Sequence, residues 1–190
     1  MRRNGFTLAE LLIALVILGV IATFTIPKVL QSQQSTQKNA EAKEVASMIS
    51  GSFQSLKLNQ GISSTTSINV LTPYMNYVAV NTTGLIDDAV YGTSLDCSAG
   101  GAYCLNLHDG GVMYIRGWLT FGGTAATNAL FFTFDPDASY SNSTTGDGKA
   151  VQFFIYTNGQ IESGSGVLPN TLSGGGSYST QTDPPWFSWS

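Results

Sequence analysis

Three groups of residues in this chain have the types and spacing to do chemistry. The first is a lone carboxylate. Glu10 is the single ionisable side chain between Phe6 and Pro27, in a run otherwise made of apolar, small and hydroxyl-bearing residues. A charge inside such a run costs about 3 kcal/mol by insertion scales, and such a residue ordinarily has a partner. The second group is Cys97 and Cys104, with His108 and Asp109 close behind. The two thiols suit a disulfide; with His108 and Asp109 they form a rival metal set, although structural zinc sites show tighter Cys-x-x-Cys spacing. The third is the acidic stretch Asp135-Pro136-Asp137-Ala138-Ser139, with Asp147 farther on. Asp135, Asp137 and Ser139 alternate as hard-oxygen ligands do around calcium, which gathers six to eight oxygens. The alternative is a solvated turn in which Asp and Ser bond their own backbone.

Catalytic constellations are missing from this inventory. There is no Gly-x-Ser-x-Gly elbow, no phosphate-binding Gly-rich loop ending in Lys-Ser/Thr, and no His-Glu-x-x-His helix. The one histidine, His108, sits in a turn with no nucleophile motif around it. The sequence therefore predicts no enzyme. Charge excludes another class. From Asn59 onward two basic residues, Arg116 and Lys149, face nine acidic ones, a balance that repels phosphate backbones and predicts no direct nucleic-acid binding. The same region is rich in Gly, Ser, Thr and Asn and studded with aromatics, which reads as a β-rich extracytoplasmic domain. In such a compartment an even pair of cysteines favours the disulfide.

The run from Phe6 to Pro27 is long enough to cross a bilayer, which needs about 20 residues. Met1-Arg2-Arg3-Asn4-Gly5 precedes it, and no small-residue cleavage site follows, so this is not an ordinary secretory signal. Arg2 and Arg3 orient the N-terminus toward the cytoplasm. The stretch Gly5-Phe6-Thr7-Leu8-Ala9-Glu10-Leu11-Leu12 resembles the processing and methylation motif of type IV prepilins and type II secretion pseudopilins. That resemblance implies cleavage by prepilin peptidase after Gly5, N-methylation of the new terminus at Phe6, and an assembly role for Glu10. It also implies a subunit of a type IV pilus or pseudopilus filament, held in the inner membrane with its head outside until an assembly platform and a cytoplasmic ATPase build it in among other pilin subunits. The rival is a low-copy minor subunit whose head is a tip adhesin or binding module. Gly19 to Pro27 resembles the segment that partly unwinds when such subunits pack; its β-branched Thr23, Thr25 and Ile26, and Pro27 itself, have low helix propensity. Some pseudopilins hold calcium in an acidic loop between late strands, so the resemblance makes Ca2+ a candidate cofactor at Asp135, Asp137, Ser139 and Asp147, beside the solvated turn.

The elements that must position these groups follow from periodicity. Val45, Ile49, Phe53 and Leu56 recur at helical spacing, which predicts one long helix from about Phe6 to Leu58, ended by Gly61, Ser63 and Ser64. Tyr103–Leu107 and Val112–Arg116 flank His108-Asp109-Gly110-Gly111 as a hairpin. Leu130–Phe134 reads as a short strand, and Val151–Tyr156 leads through Asn158-Gly159 into a second hairpin. A Gly/Ser-rich link from Ser173 to Ser179 joins an aromatic tail, Trp186, Phe187 and Trp189, that either packs on the sheet or forms a binding surface. The expected fold is α+β and pilin-like, a long N-terminal helix against an antiparallel sheet. Its parts are a leader at 1–5, a transmembrane half-helix at 6–27, an amphipathic half-helix at 28–58 and a β-rich head at 59–190.

Overall fold

Leucine, alanine and isoleucine dominate the chain from Leu8, and helix formers continue through Glu41, Ala42 and Lys43, so a single helix is the lowest-cost backbone for both the apolar and the polar stretch. A computed structural model of the protein, describing residues 7–86, 95–98, 101–117, 120–121, 129–137, 150–163 and 183–189, contains that helix as α1, Leu8–Asn59. It runs through Pro27 without a break. Its contacts divide the chain into two compact units, Met1–Gln37 and Lys38–Ser190.

In the first unit the apolar side chains of α1 are unburied: Leu11, Leu12, Ile13, Leu15 and Val16 each keep more than half of their surface. Two hydroxyls fold back onto the helix, Thr23 Oγ1 donating to the Gly19 carbonyl at 2.7 Å and Thr25 Oγ1 to the Ile21 carbonyl at 2.8 Å. Such back-bonds let a hydroxyl sit in apolar surroundings without an unsatisfied donor.

The second unit is built around a stripe on α1. Ala42, Val45, Ala46, Ile49, Ser52, Phe53 and Leu56 are buried, at the three- and four-residue spacing that keeps side chains on one face of a helix. Ser52 Oγ donates to the Met48 carbonyl at 2.7 Å and the Tyr74 carbonyl at 3.1 Å, fastening the helix to a 3₁₀ turn at Thr72–Tyr74. A preceding 3₁₀ turn, Ile68–Val70, is capped by Ser67.

The strands are β1 (Ala79–Asn81), β2 (Leu85–Ile86), β3 (Leu95–Asp96), β4 (Ala102–Asn106), β5 (Val112–Arg116), β6 (Ala129–Asp135), β7 (Val151–Tyr156) and β8 (Ile161–Ser163). Six of them form an antiparallel sheet in the order β1-β4-β5-β6-β7-β8, and β2 pairs with β3. Both predicted hairpins form, and Gly159 takes the positive φ of +90° that the turn after Asn158 requires. The register aligns Leu105, Met113, Phe134 and Val151 on one face, with Ile115, Phe132 and Phe153 in the next row. The other face is buried too, through Cys104, Tyr114, Phe131, Thr133 and Phe154. Two covered faces explain why β6 and β7 read as continuous apolar runs rather than as alternating strands. The core is aromatic: Phe53 of α1 meets Phe121 edge-on at 5.9 Å.

Candidate functional site

The site begins at the first turn of α1. Thr7 is the residue before the helix and Glu10 lies three residues on. Glu10 Oε2 accepts the Thr7 backbone N–H at 2.8 Å and the Thr7 hydroxyl at 2.9 Å, while the Thr7 hydroxyl oxygen accepts the Glu10 N–H at 3.3 Å. This is a reciprocal capping box, and it satisfies two helix-terminal N–H groups that have no intrahelical acceptor. It does more for a helix in lipid, where no water is at hand: it gives the carboxylate local donors. A carboxylate near a helix N-terminus is also favoured by the helix dipole. Thr7 is the functional residue that hydropathy reasoning passes over, although Thr-x-x-Glu ahead of an apolar run signals it. Gly5 and Phe6, where the sequence predicts cleavage and methylation, lie outside the described residues.

Around the box every apolar side chain is open. Leu8 is 78% exposed and Leu11 56%. The helix contains an 18-residue window of mean hydropathy 2.5 with none of it buried, enough by length and composition to cross a membrane. The site can therefore present one carboxylate on a lipid-compatible helix surface.

The other candidate groups separate in space. Cys97 and Cys104 are joined as a disulfide with Cα atoms 5.5 Å apart, both fully buried. The bridge ties the chain just after β3 to β4, and the sulfurs are spent on each other. His108 stays exposed in the β4–β5 turn, its Nε2 3.1 Å from Asn76 Oδ1. Asp135 is buried at the end of β6 and its Oδ1 accepts the Asp137 N–H at 3.2 Å, the self-bonded turn that such residues favour. Asp137 Oδ2 pairs with Lys38 Nζ of α1 at 2.9 Å. Calcium would need to share Asp137 with that ammonium. Ser139 and Asp147 lie outside the described residues, and no group of three His, Cys, Asp or Glu side chains is placed to hold a metal among the described residues.

Of the aromatic tail, Phe187 is buried against Phe153 with ring centroids 5.6 Å apart, and Trp189 stacks edge-on to Phe153 at 5.8 Å while remaining 47% exposed. Trp189 Nε1 donates to Ser163 Oγ at 3.0 Å, and the Ser188 N–H reaches Asn39 Oδ1 of α1 at 3.3 Å. Phe187 and one side of Trp189 thus pack on the sheet. The Ser173–Ser179 link lies outside the described residues.

A carboxylate boxed into the first turn of an open apolar helix, with Arg2 and Arg3 shortly before it in the sequence, has a counterpart among protein families. Residues 1–26 match the family model described as the prokaryotic N-terminal methylation motif. That motif is the prepilin signature of type IV pilins and pseudopilins, so the chain carries a type IV pilin-like N-terminus ahead of an α+β head. No curated protein and no solved structure matches the chain.

Proposed function

We propose that the protein is a structural subunit of a type IV pilus or pseudopilus filament, cut after Gly5 by prepilin peptidase, methylated at Phe6 and assembled through α1. The observation that carries this reading is Glu10: a carboxylate on the unburied apolar stretch of α1, inside a matched methylation motif. Cleavage at Gly5 would create an ammonium at Phe6, five positions before the carboxylate by inclusive count. Each charge is unfavourable in lipid, and pairing them between neighbouring subunits relieves both. Until a neighbour arrives, the Thr7 donors serve the carboxylate. The head then faces the extracytoplasmic side, where the Cys97–Cys104 bridge is stable.

The test is intact-mass measurement of protein extracted from membranes of cells with an active peptidase. The expected mass is that of a chain beginning at Phe6 plus one methyl group; a chain retaining Arg2 and Arg3 would overturn the reading. In the same cells Glu10→Ala is expected to remain processed and membrane-held but to enter filaments poorly. Normal incorporation would remove Glu10 from assembly.

A further inference from the structure

A cavity of about 100 Å³ opens in the second unit between α1 and the β4–β5 turn. Its floor is apolar: Val45 and Met48 of α1, Leu107 at the start of the turn, and Phe134 of β6. Its rim carries Glu44 of α1 and Asp109 of the turn, with Glu41, which also interacts within the chain, and His108 beside them; no lysine or arginine lines it. One wall depends on a missing side chain. A Cβ on Gly111 would stand 2.6 Å from the Phe134 ring, so a larger residue there would have to displace the turn or the ring that floors the cavity. Small-molecule pockets run to about 300–1,000 Å³. This one is sized for a single linear side chain. An apolar floor under a ring of carboxylates suits an alkyl stem ending in a cation, which is how lysine divides itself between oil and charge.

The described cations narrow the occupant. Lys38 is paired with Asp137, and Arg116 lies over the Phe131 ring at 5.4 Å. Lys43 also interacts within the chain. Lys57 sits in the last turn of α1, where the helix carbonyls favour a cation. Lys28 has none of these. It is exposed on the open part of α1, and the positions three and four residues away are Phe24, Thr25, Gln31 and Ser32, which offer no carboxylate. In a bilayer, lipid headgroups supply the missing counter-charge. A subunit drawn out of the bilayer loses them.

We infer that the cavity receives the Lys28 side chain of a second copy of this chain, so that the acidic-rimmed head of one subunit replaces the headgroups around the helix of its neighbour. The inference rests on the filament reading above and adds a second, head-to-helix contact to the one at Glu10. Charge complementarity selects the occupant: the cavity's rim is anionic, and Lys28 is the only basic residue between Asn4 and Gln37.

The test uses the full chain expressed in cells that assemble it. Lys28→Glu and Glu44→Lys are each expected to lower filament incorporation by about tenfold, the scale on which desolvated charge pairs act, and the double variant Lys28→Glu/Glu44→Lys to recover most of it. Thermal melting of the extracted single variants should match the unchanged chain, which separates loss of contact from loss of fold. A Lys28→Cys/Glu44→Cys chain, oxidised in sheared filaments, is expected to give cross-linked dimers and higher multimers. If the unchanged chain assembles, Glu10→Ala does not, and the Lys28 and Glu44 variants incorporate normally without cross-linking, the cavity contact is overturned while the filament reading stands. A chain that forms no filaments at all overturns both.

Discussion

Along α1 one backbone serves two side-chain environments. Between Leu8 and Gln37 no residue is buried, and Leu, Ile, Val and Phe side chains stand open on every side. Between Lys38 and Asn59 seven residues are buried on one stripe, and Glu41, Glu44 and Lys57 lie off it. A helix that is apolar all round asks for a partner on all sides, whereas a striped helix asks for one sheet. The second request is met within the molecule by β5, β6 and β7. The first is met by nothing among the described residues, and on the proposed filament reading lipid or other subunits would supply it. On the filament reading, the packing of the head and the Glu10 contact belong to different lengths of the same helix.

The largest expected effect probes that division directly. Phe53→Ala removes a fully buried ring in contact with Phe121 and should lower the unfolding free energy of the second unit by about 3–5 kcal/mol. Ile13→Ala removes side-chain surface that is 60% exposed, and should leave the same transition unchanged to within about 0.5 kcal/mol. Denaturant unfolding of the detergent-solubilised chain, followed by the fluorescence of Trp118, Trp186 and Trp189, measures both. Similar losses from the two substitutions would break the comparison.

A smaller effect sits at the helix start. Thr7→Ala deletes the hydroxyl half of the capping box and should cost about 1 kcal/mol of local helix stability. Faster amide exchange over the first turns of α1, with an unchanged melting midpoint of the head, is the expected pattern. Slower still is the return from Lys38. Its pair with Asp137 is partly exposed, so Lys38→Ala should cost no more than about 1 kcal/mol. Because the ammonium holds Asp137, calcium should raise the melting midpoint more in Lys38→Ala than in the unchanged chain. Equal responses would remove Asp137 from any ligand set.

The last effect is confined to alkaline pH. Burial, together with the hydrogen bond to Glu162 and its charge, pushes the Tyr156 hydroxyl up to about 12. Its proton is held more tightly in the folded chain than in the unfolded one, where the group titrates near 10. The associated stability is present below about pH 10 and is lost as pH rises toward about 12. Tyr156→Phe should flatten that part of a stability-versus-pH curve, and an unaltered curve would place the alkaline loss elsewhere.

What the sequence discloses about this molecule divides along physical lines. The stripe on α1 is legible because burial imposes a 3.6-residue period, and Val45, Ile49, Phe53 and Leu56 mark it. The β4–β5 and β7–β8 hairpins are legible because Gly110, Gly111 and Asn158-Gly159 are tied to turn geometry. Strands β1, β2 and β3 are not, since two or three residues such as Leu85-Ile86 carry no period and exist as strands only through their pairing. At the candidate site Glu10 stands out by its isolation, while Thr7 is visible only to a reader looking for caps. The Lys38–Asp137 pair spans 99 positions and the cavity under Asp109 draws on four separate stretches of chain. No local pattern carries either.

The order of strands has a consequence for the route to the native state. From β4 to β8 each strand pairs with the next in the chain, and the β4–β5 and β7–β8 hairpins close over short turns. The attachments of α1 are of the opposite kind: Lys38 to Asp137 spans 99 residues and Asn39 to Ser188 spans 149. Closing a long loop is entropically dearer and slower than zipping a hairpin. We expect β4–β5 and β7–β8 to register first and helix docking to set the rate. Pulse-labelled hydrogen exchange should then find Val112–Arg116 protected earlier than Val45–Leu56, and the reverse order would refute this sequence of events.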